Sequence, residues 1–194
     1  MPQIQKKWGI SKGDIGMADD LRVIKTRAAI RTAFRELVME KNQFTVKDLT
    51  ERANINRKTF YFHYTDMNDL RQQERHEAAE HIFTLLREPL QARDIPECMR
   101  RAFLYLASDP AYHYRLLSQE AYRRFFSEVF EEMGGEFDFA TLVPAAKHRK
   151  YALAFLTNAI IFSFCEWYAG GMTAPAQEMA DYVIDICLHG LKYL

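Results

Sequence analysis

The chain has 194 residues, of which 48% are apolar, and its formal net charge is zero. That apolar content is sufficient for a buried core and excludes a disordered chain. Its three cysteines, Cys98, Cys165 and Cys187, are too few and too far apart for a disulfide framework or a metal site. We interpret them as small buried hydrophobic residues. The first residues lack the apolar segment of a signal peptide, so we expect a soluble cytoplasmic protein.

The zero net charge hides an uneven distribution along the chain. Up to Thr65 there are 13 Lys and Arg against 7 Asp and Glu, whereas the remainder holds 13 against 19. Phosphate contacts provide most of the non-specific affinity for nucleic acids, so a local excess of positive charge matters even when the total is zero. The distribution places a candidate nucleic-acid surface in the N-terminal third.

Apolar residues recur with helical spacing, and the sequence has no alternating strand pattern. We interpret residues 1–20 as a flexible N-terminal arm. Ile30, Phe34 and Leu37 then indicate one amphipathic helix over residues 21–41. The predicted fold class is all-α.

Residues 44–64 have the pattern of two short helices joined by a tight turn. Thr45 is suited to cap the first helix, with Asp48 three residues later where a capping box has its carboxylate. Asn54 tolerates the left-handed backbone that the turn requires, and Asn56 is placed to cap the second helix. This is the layout of a DNA-binding helix-turn-helix, whose second helix presents its first residues to base edges.

The second short helix opens with Arg57 and Lys58, whose long side chains can reach guanine in the major groove. Phe60 and Tyr64 lie four residues apart and are expected to face the core of the domain. The three residues between them are therefore rotated toward the outside: Tyr61, Phe62 and His63. The alternatives are ordinary helix packing for these three side chains and a solvated positive face for the two basic ones.

The string from Thr59 to Tyr64, Thr-Phe-Tyr-Phe-His-Tyr, followed by Leu70, resembles the recognition motif of the TetR family of transcription regulators. The resemblance covers about 45 residues, from the upstream helix through Leu70. Two positions differ: Asn54 replaces the turn glycine of many members, and Met67 replaces a lysine that is common in the family. Asn accepts the same backbone, whereas loss of the lysine removes a phosphate contact and lowers the expected affinity.

This resemblance implies a homodimer that binds a double-stranded DNA operator. It divides the chain into the arm at 1–20, a three-helix DNA-binding domain at 21–66, and a larger helical regulatory and dimerisation domain at 67–194. Lys47 matches a family position that reaches the edge of the groove. The candidate DNA contacts are Thr45, Lys47, Asn56, Arg57, Lys58, Thr59, Tyr61, Phe62 and His63.

The C-terminal part is predicted to be helical throughout. Turn and breaker residues divide it into helices at 66–88, 95–107, 111–133, 139–146, 147–169 and 174–192. Pro89 is expected to end the first of these, and Gly170-Gly171 to separate the last two. Pro175 is expected in the first turn of the final helix.

The last two helices are the expected dimer interface. The helix over 147–169 is apolar nearly all round, more than a monomer of this size needs to bury, and the final helix has one apolar stripe. A membrane span is the alternative, but the apolar stretch from Tyr151 to Cys165 has only 15 residues, where a span needs about 20. The candidate interface residues are Phe155, Phe162, Tyr182, Val183, Ile186 and Gly190.

The C-terminal part is rich in aromatic residues, most of which we assign to its core. TetR-like proteins hold an effector in a cavity of this domain, so the resemblance implies a small apolar effector. The candidate lining residues are Phe83, Tyr122, Phe126 and Trp167. The run over 154–172 is also similar to the DhaS-like branch of the family, which implies the alternative of a coactivator that docks a protein partner.

The sequence has no pattern for catalysis or metal binding. His76 and His81 nearly imitate a zinc-protease helix, but they are five residues apart and diverge by about 140° around it. The sequence has no Gly-rich phosphate loop, no paired catalytic carboxylates and no nucleophile beside a base. We therefore predict no enzyme and no cofactor. The resemblance to the TetR family implies a repressor released from a palindromic operator by a small apolar effector.

Overall fold

The computed structural model describes residues 17–120, 122–125, 128–129 and 148–190. Every regular element in these ranges is a helix, so the predicted all-α class is confirmed. In chain order the helices are α1 (Met17–Glu40), α2 (Val46–Arg52), α3 (Arg57–His63), α4 (Met67–Ala92), α5 (Ile95–Ala107), α6 (Pro110–Leu117), α7 (Arg149–Ala169) and α8 (Ala176–His189). The described residues between 120 and 129 are helical as well.

The chain divides into two compact units, with the boundary inside α4 between Glu77 and Ala78. The first unit contains α1, α2, α3 and the first turns of α4. Its core collects apolar residues from all four helices, each exposed by 2% or less: Ile30, Phe34, Leu37, Leu49, Phe60 and Leu70. The predicted apolar face of α1 is therefore confirmed, and Leu70 anchors the start of α4 in this unit.

Ion pairs fasten α2 to α1 in the first unit. The guanidinium of Arg52 binds the two carboxylate oxygens of Glu40 at 2.7 and 2.6 Å and reaches Glu36 at 3.1 Å. The ammonium of Lys41, just after α1, binds Asp48 at 2.8 Å. Exposed pairs each add little to stability, but a bidentate arginine–carboxylate pair also fixes orientation. These contacts therefore set the position of α2 relative to α1.

The second unit is built around α5, which packs against α6, α7 and α8. Phe103 of α5 is exposed by only 1% and lies in edge contact with Phe164 of α7, with 6.1 Å between the ring centroids. At the surface of the unit, the guanidinium of Arg100 binds the carboxylate of Asp181 on α8 at 2.9 Å. The helices of this unit are thus joined by an aromatic core and by an ion pair at its edge.

The three cysteines are free thiols. Cys98 is buried in α5, and burial raises the pKa of its thiol to about 12. Cys165 and Cys187 are only partly buried. Cys98 is therefore the cysteine that fits the predicted role of a small buried hydrophobic residue.

The prediction that Pro89 ends its helix is wrong, because α4 continues to Ala92. Proline lacks the N–H that would bond the carbonyl of Leu85 four residues earlier. Nη1 of Arg101, on α5, donates to that carbonyl at 3.2 Å instead. The helix ends where Arg93 takes a left-handed backbone with φ of 61°.

The predicted single helix over 111–133 is also wrong, because α6 ends at Leu117. The backbone N–H of Ser118 donates to the carbonyl of Tyr114 at 3.0 Å, and its hydroxyl donates to the same carbonyl at 2.8 Å. A serine hydroxyl that competes for a backbone carbonyl favours a helix end. The remainder of that segment from 130, and the short helix predicted at 139–146, lie outside the described residues.

Several helix boundaries differ from the prediction by a few residues. α1 starts at Met17, so the last four residues of the predicted arm are helical, while residues 1–16 lie outside the described part. The final helix starts at Ala176 rather than 174, with Pro175 as its capping residue and not in its first turn. Gly170-Gly171 separates α7 from α8 as expected.

α7 is longer than the apolar stretch that defined it in the sequence. Its segment Lys150–Ala169 has 20 residues, and by length and composition alone it could cross a membrane. The stretch counted against a span comprised only the 15 apolar residues from Tyr151 to Cys165, whereas the helix, predicted over 147–169, also includes the polar residues that flank them. One such helix is weak evidence for a membrane protein, and α7 packs against α5, α6 and α8.

Candidate nucleic-acid interface

The start of α2 is fixed by the predicted capping box. The side chain of Thr45 accepts a hydrogen bond from the backbone N–H of Asp48 at 3.3 Å, and the carboxylate of Asp48 accepts one from the N–H of Thr45 at 2.8 Å. The bond from Lys41 and those from Thr45 hold the pKa of the Asp48 carboxyl well below its usual range. Asp48 is therefore ionised at neutral pH, where the box is stable.

The turn between α2 and α3 depends on Asn54, whose φ is 51°. The N–H of Asn54 donates to the carbonyl of Glu51 at 3.2 Å, and that of Ile55 donates to Thr50 at 3.0 Å. These two bonds form a Schellman motif, in which asparagine is the common substitute for glycine. The turn thus uses Asn54 as the sequence predicted.

Asn56 and Thr59 set the start of α3. The side-chain oxygen of Asn56 accepts from the backbone N–H of Thr59 at 2.7 Å and from its hydroxyl at 3.0 Å. The predicted cap is therefore present. Both residues were also predicted to contact DNA, and any such contact must share atoms that already stabilise the helix.

The two faces of α3 have opposite character. Phe60 and Tyr64 are 0% and 3% exposed, and their rings stack with 5.6 Å between centroids. Tyr61 and Phe62 point away from this core and are 50% and 79% exposed. His63 is partly buried. The helix thus has one face that anchors it and one face that is open to a partner.

His63 carries less positive charge than an ordinary histidine. Burial lowers the pKa of its imidazole, and the charge of Arg27 on α1 lowers it further. Arg27 is exposed and was not among the predicted contact residues. Only the fold brings it close enough to α3 for its charge to act on His63, and a helical pattern within α1 does not contain that information.

Three of the predicted DNA contacts are exposed cations. Arg57 and Lys58 lie in the first turn of α3, and both are exposed. Lys47 lies in the first turn of α2, with 73% of its side chain exposed and its Nζ 3.8 Å from the carboxylate of Glu51. Such a long ion pair between exposed groups is weak and can be exchanged for a phosphate.

A second exposed surface, the α7–α8 face, contains most of the predicted dimer residues. Phe155 and Phe162 of α7 are 60% and 67% exposed, and Tyr182 of α8 is 43% exposed. Ile186 is partly buried and Gly190 is exposed at the end of α8. Val183 differs, because it is only 4% exposed and belongs to the core of the second unit.

Of the predicted effector-lining residues, Trp167 packs in the aromatic core of the second unit. Phe103 and Phe164 pack against the ring of Trp167, whose Nε1 donates to the carbonyl of Ala174 at 2.9 Å. Tyr122 is buried and Phe83 is partly buried, while Phe126 lies outside the described residues.

A small cavity of about 10 Å³ lies elsewhere in the second unit. Its lining consists of Ile82, Ala102, Tyr105, Leu106, Thr157, Ile160 and Ile161. That volume accommodates about one water molecule, whereas ligand pockets have several hundred Å³. None of the predicted lining residues belongs to it.

A capped pair of short helices, a left-handed turn, and a second helix with an exposed cationic and aromatic face together define a helix-turn-helix fold in an all-helical chain. Among solved structures, a TetR transcriptional regulator from Streptococcus agalactiae 2603V covers 88% of this chain and 98% of its own, at 21% identity and a TM-score of 0.66. This chain therefore has the fold of the TetR transcriptional regulators, as its recognition motif predicted.

Two further solved structures with this fold have names that state a regulatory role. The dihydroxyacetone kinase operon activator DhaS covers 88% of this chain and 98% of its own, at 16% identity and a TM-score of 0.58. The fatty acid degradation regulator FadR from Bacillus halodurans covers 87% and 96%, at 15% identity and a TM-score of 0.59. At these identities the likeness concerns the fold.

One curated protein shares a segment of sequence with this chain. The uncharacterised helix-turn-helix transcriptional regulator YxbF of Bacillus subtilis (strain 168) is 41% identical over 56 residues. The match involves 27% of this chain and only 15% of the length of YxbF. No family model matches the chain.

Proposed function

We propose that this chain is a transcription regulator that binds double-stranded DNA by placing α3 in the major groove. The observation that carries the proposal is the exposed face of α3, where Tyr61 and Phe62 lie beside the cations Arg57 and Lys58. Cations and aromatic rings together suit a surface that meets phosphates, sugars and base edges. The shared fold and the segment in common with YxbF support the same function.

A homodimer bound to a palindromic operator is the assembly that we propose. Phe155, Phe162 and Tyr182 present apolar surface on the α7–α8 face that burial against a second copy would stabilise. A two-fold axis between identical protomers matches two half-sites about one turn of DNA apart. A regulator of this kind works in the cytoplasm, where bacterial DNA lies.

The proposed direction of control is repression that a small apolar effector relieves. FadR, which shares the fold, is a fatty acid degradation regulator, and this supports an apolar effector. α4 contains residues of both units and is a continuous route from the second unit to the first. An effector with about 3 kcal/mol of preference for one conformation would change operator affinity roughly a hundredfold.

A coactivator that docks a protein partner is the second candidate. The exposed aromatic residues of the α7–α8 face favour it. The dihydroxyacetone kinase operon activator DhaS shares the fold. A thermal-shift screen of hydrophobic compounds, followed by operator titration, separates the candidates, since only the first requires a compound that both stabilises the protein and weakens DNA binding.

DNA binding is tested by selection of duplexes from a random pool with the purified protein, and by fluorescence anisotropy on the duplex recovered. We expect an enriched inverted repeat. Lys58→Ala should weaken binding to it, whereas Arg87→Ala, which removes an exposed cation of the second unit, is the matched control. A pool without enrichment, or equal effects of the two substitutions, would contradict the proposal.

A further inference from the structure

The exposed ring of Phe62 does not take part in the core that anchors its helix. Phe60 and Tyr64 anchor α3 with 0% and 3% exposure, whereas Phe62 leaves 79% of its surface open. Its ring lies edge-on to that of His63, with 5.1 Å between the ring centroids. The chain therefore presents a large apolar group on the surface proposed to meet DNA.

The chemistry of phenylalanine limits what this ring can recognise. It has no hydrogen-bond donor or acceptor, so it cannot bond the nitrogen and oxygen atoms by which base edges are distinguished. The one apolar group that a base pair presents in the major groove is the C5 methyl of thymine. A phenylalanine that reaches the floor of the groove therefore distinguishes thymine from the other bases.

The position of Phe62 on α3 also fits a base contact. Phe62 lies one turn after Lys58, so the two side chains are on neighbouring parts of one face. Four residues rise about 6 Å along a helix, which is close to two base-pair steps of DNA. If Lys58 contacts a guanine, the methyl group within reach of Phe62 belongs to a thymine about two base pairs away.

We propose that Phe62 selects thymine in each operator half-site through contact of its ring with the C5 methyl group. This inference rests on the proposed function. It specifies one base of the operator, thymine, and the residue that recognises it, Phe62. Removal of that methyl should weaken binding about fourfold per half-site, the value for burial of one apolar carbon. Lys58 and Arg57 would supply the hydrogen bonds to neighbouring bases, and Phe62 the apolar part of the code.

The experiment uses the full-length protein and the duplex recovered by selection. Each thymine is replaced in turn by deoxyuridine, which lacks only the methyl group and keeps every hydrogen bond. Dissociation constants are measured for the wild type, for Phe62→Ala, and for Lys58→Ala as the matched control on the same face. Circular dichroism verifies that the variants remain folded, as expected for exposed side chains.

We expect one thymine position per half-site at which deoxyuridine weakens the wild type about fourfold. At that position Phe62→Ala should bind the two duplexes equally, and Lys58→Ala should keep the fourfold difference. Absence of any sensitive thymine in a tightly bound duplex, or sensitivity that persists in Phe62→Ala, would overturn this inference and leave the regulator function standing. Failure of the selection to yield any duplex would overturn both.

Discussion

Arg57 lies in the first turn of α3 and is exposed. Its guanidinium can form two parallel bonds to O6 and N7 of guanine. We expect Arg57→Ala to lose about 1–3 kcal/mol of binding free energy on the selected operator and to relax specificity at one base pair. Anisotropy titrations on operator and on random duplexes measure both effects. An equal loss on the two kinds of DNA would assign Arg57 to phosphate contact alone.

His63 should make the stability of the protein depend on pH. Burial and the charge of Arg27 lower the pKa of its imidazole, so the unfolded state binds the proton more tightly than the folded state. The free energy of unfolding should therefore fall as pH decreases from the ordinary histidine value of about 6.5 through the lower folded value. Above that range the contribution is fully present.

Urea unfolding of the wild type and of His63→Gln between pH 7.5 and 5.0 measures this effect. Glutamine cannot titrate, so the variant should lose less stability on acidification than the wild type does. The remaining titratable groups are common to both proteins and cancel in the comparison. Identical losses in the two proteins would show that His63 has the same proton affinity in the folded and unfolded states.

At the scale of the element, Asn56 allows helix stability and DNA binding to be separated. Its side chain caps α3 through Thr59. Asn56→Ala should destabilise the protein by about 1 kcal/mol, since a cap is lost. Asn56→Asp should keep the stability, because aspartate caps equally well and suits the positive end of the helix. Its charge should nevertheless weaken binding to phosphate-rich DNA.

Thermal unfolding and operator titration of both variants test this separation. The expected order of stability is wild type and Asn56→Asp together, with Asn56→Ala below them. The expected order of affinity places the wild type above Asn56→Asp. A stable Asn56→Asp variant with unchanged affinity would mean that the start of α3 lies away from the phosphates.

The elements that could be predicted from the sequence are those whose causes are local. Thr45, Asn54 and Asn56 act within three or four residues of themselves, so the helix-turn-helix follows from short-range rules. The end of α4 could not be predicted, because the group that replaces the bond lost at Pro89 comes from Arg101 on another helix. The exposed face of α3 was predictable, because it follows from helical spacing within one element. The effect of Arg27 on His63 was not predictable, because Arg27 lies on α1.

At the scale of the whole molecule, the α7–α8 face should control assembly. Phe162 is 67% exposed in the protomer, so Phe162→Glu should leave the fold intact while it places a charge in the proposed dimer interface. We expect monomers at micromolar concentration and loss of tight operator binding. Leu21→Glu, at a residue 63% exposed on α1, is the control and should remain dimeric.

Light scattering coupled to size-exclusion chromatography measures the mass of each variant. A wild type that is monomeric at micromolar concentration would refute the dimer. The location of this face could be inferred from the apolar surplus of α7 and α8. The inward position of Val183 could not, because the sequence does not show which part of an apolar stripe its own protomer covers.

The bond from Arg101 to the carbonyl of Leu85 has a consequence for folding during synthesis on the ribosome. The two residues are 16 positions apart, so the whole of α4 is synthesised before the residue that donates to the carbonyl of Leu85. Until Arg101 is in place, the carbonyl of Leu85 must accept its hydrogen bond from water, because Pro89 has no N–H to donate. The bond thus joins two consecutive helices across a short stretch of chain, and contacts of low sequence separation form rapidly. The helix that starts in the unit proposed to bind DNA is thus completed by a residue synthesised after it.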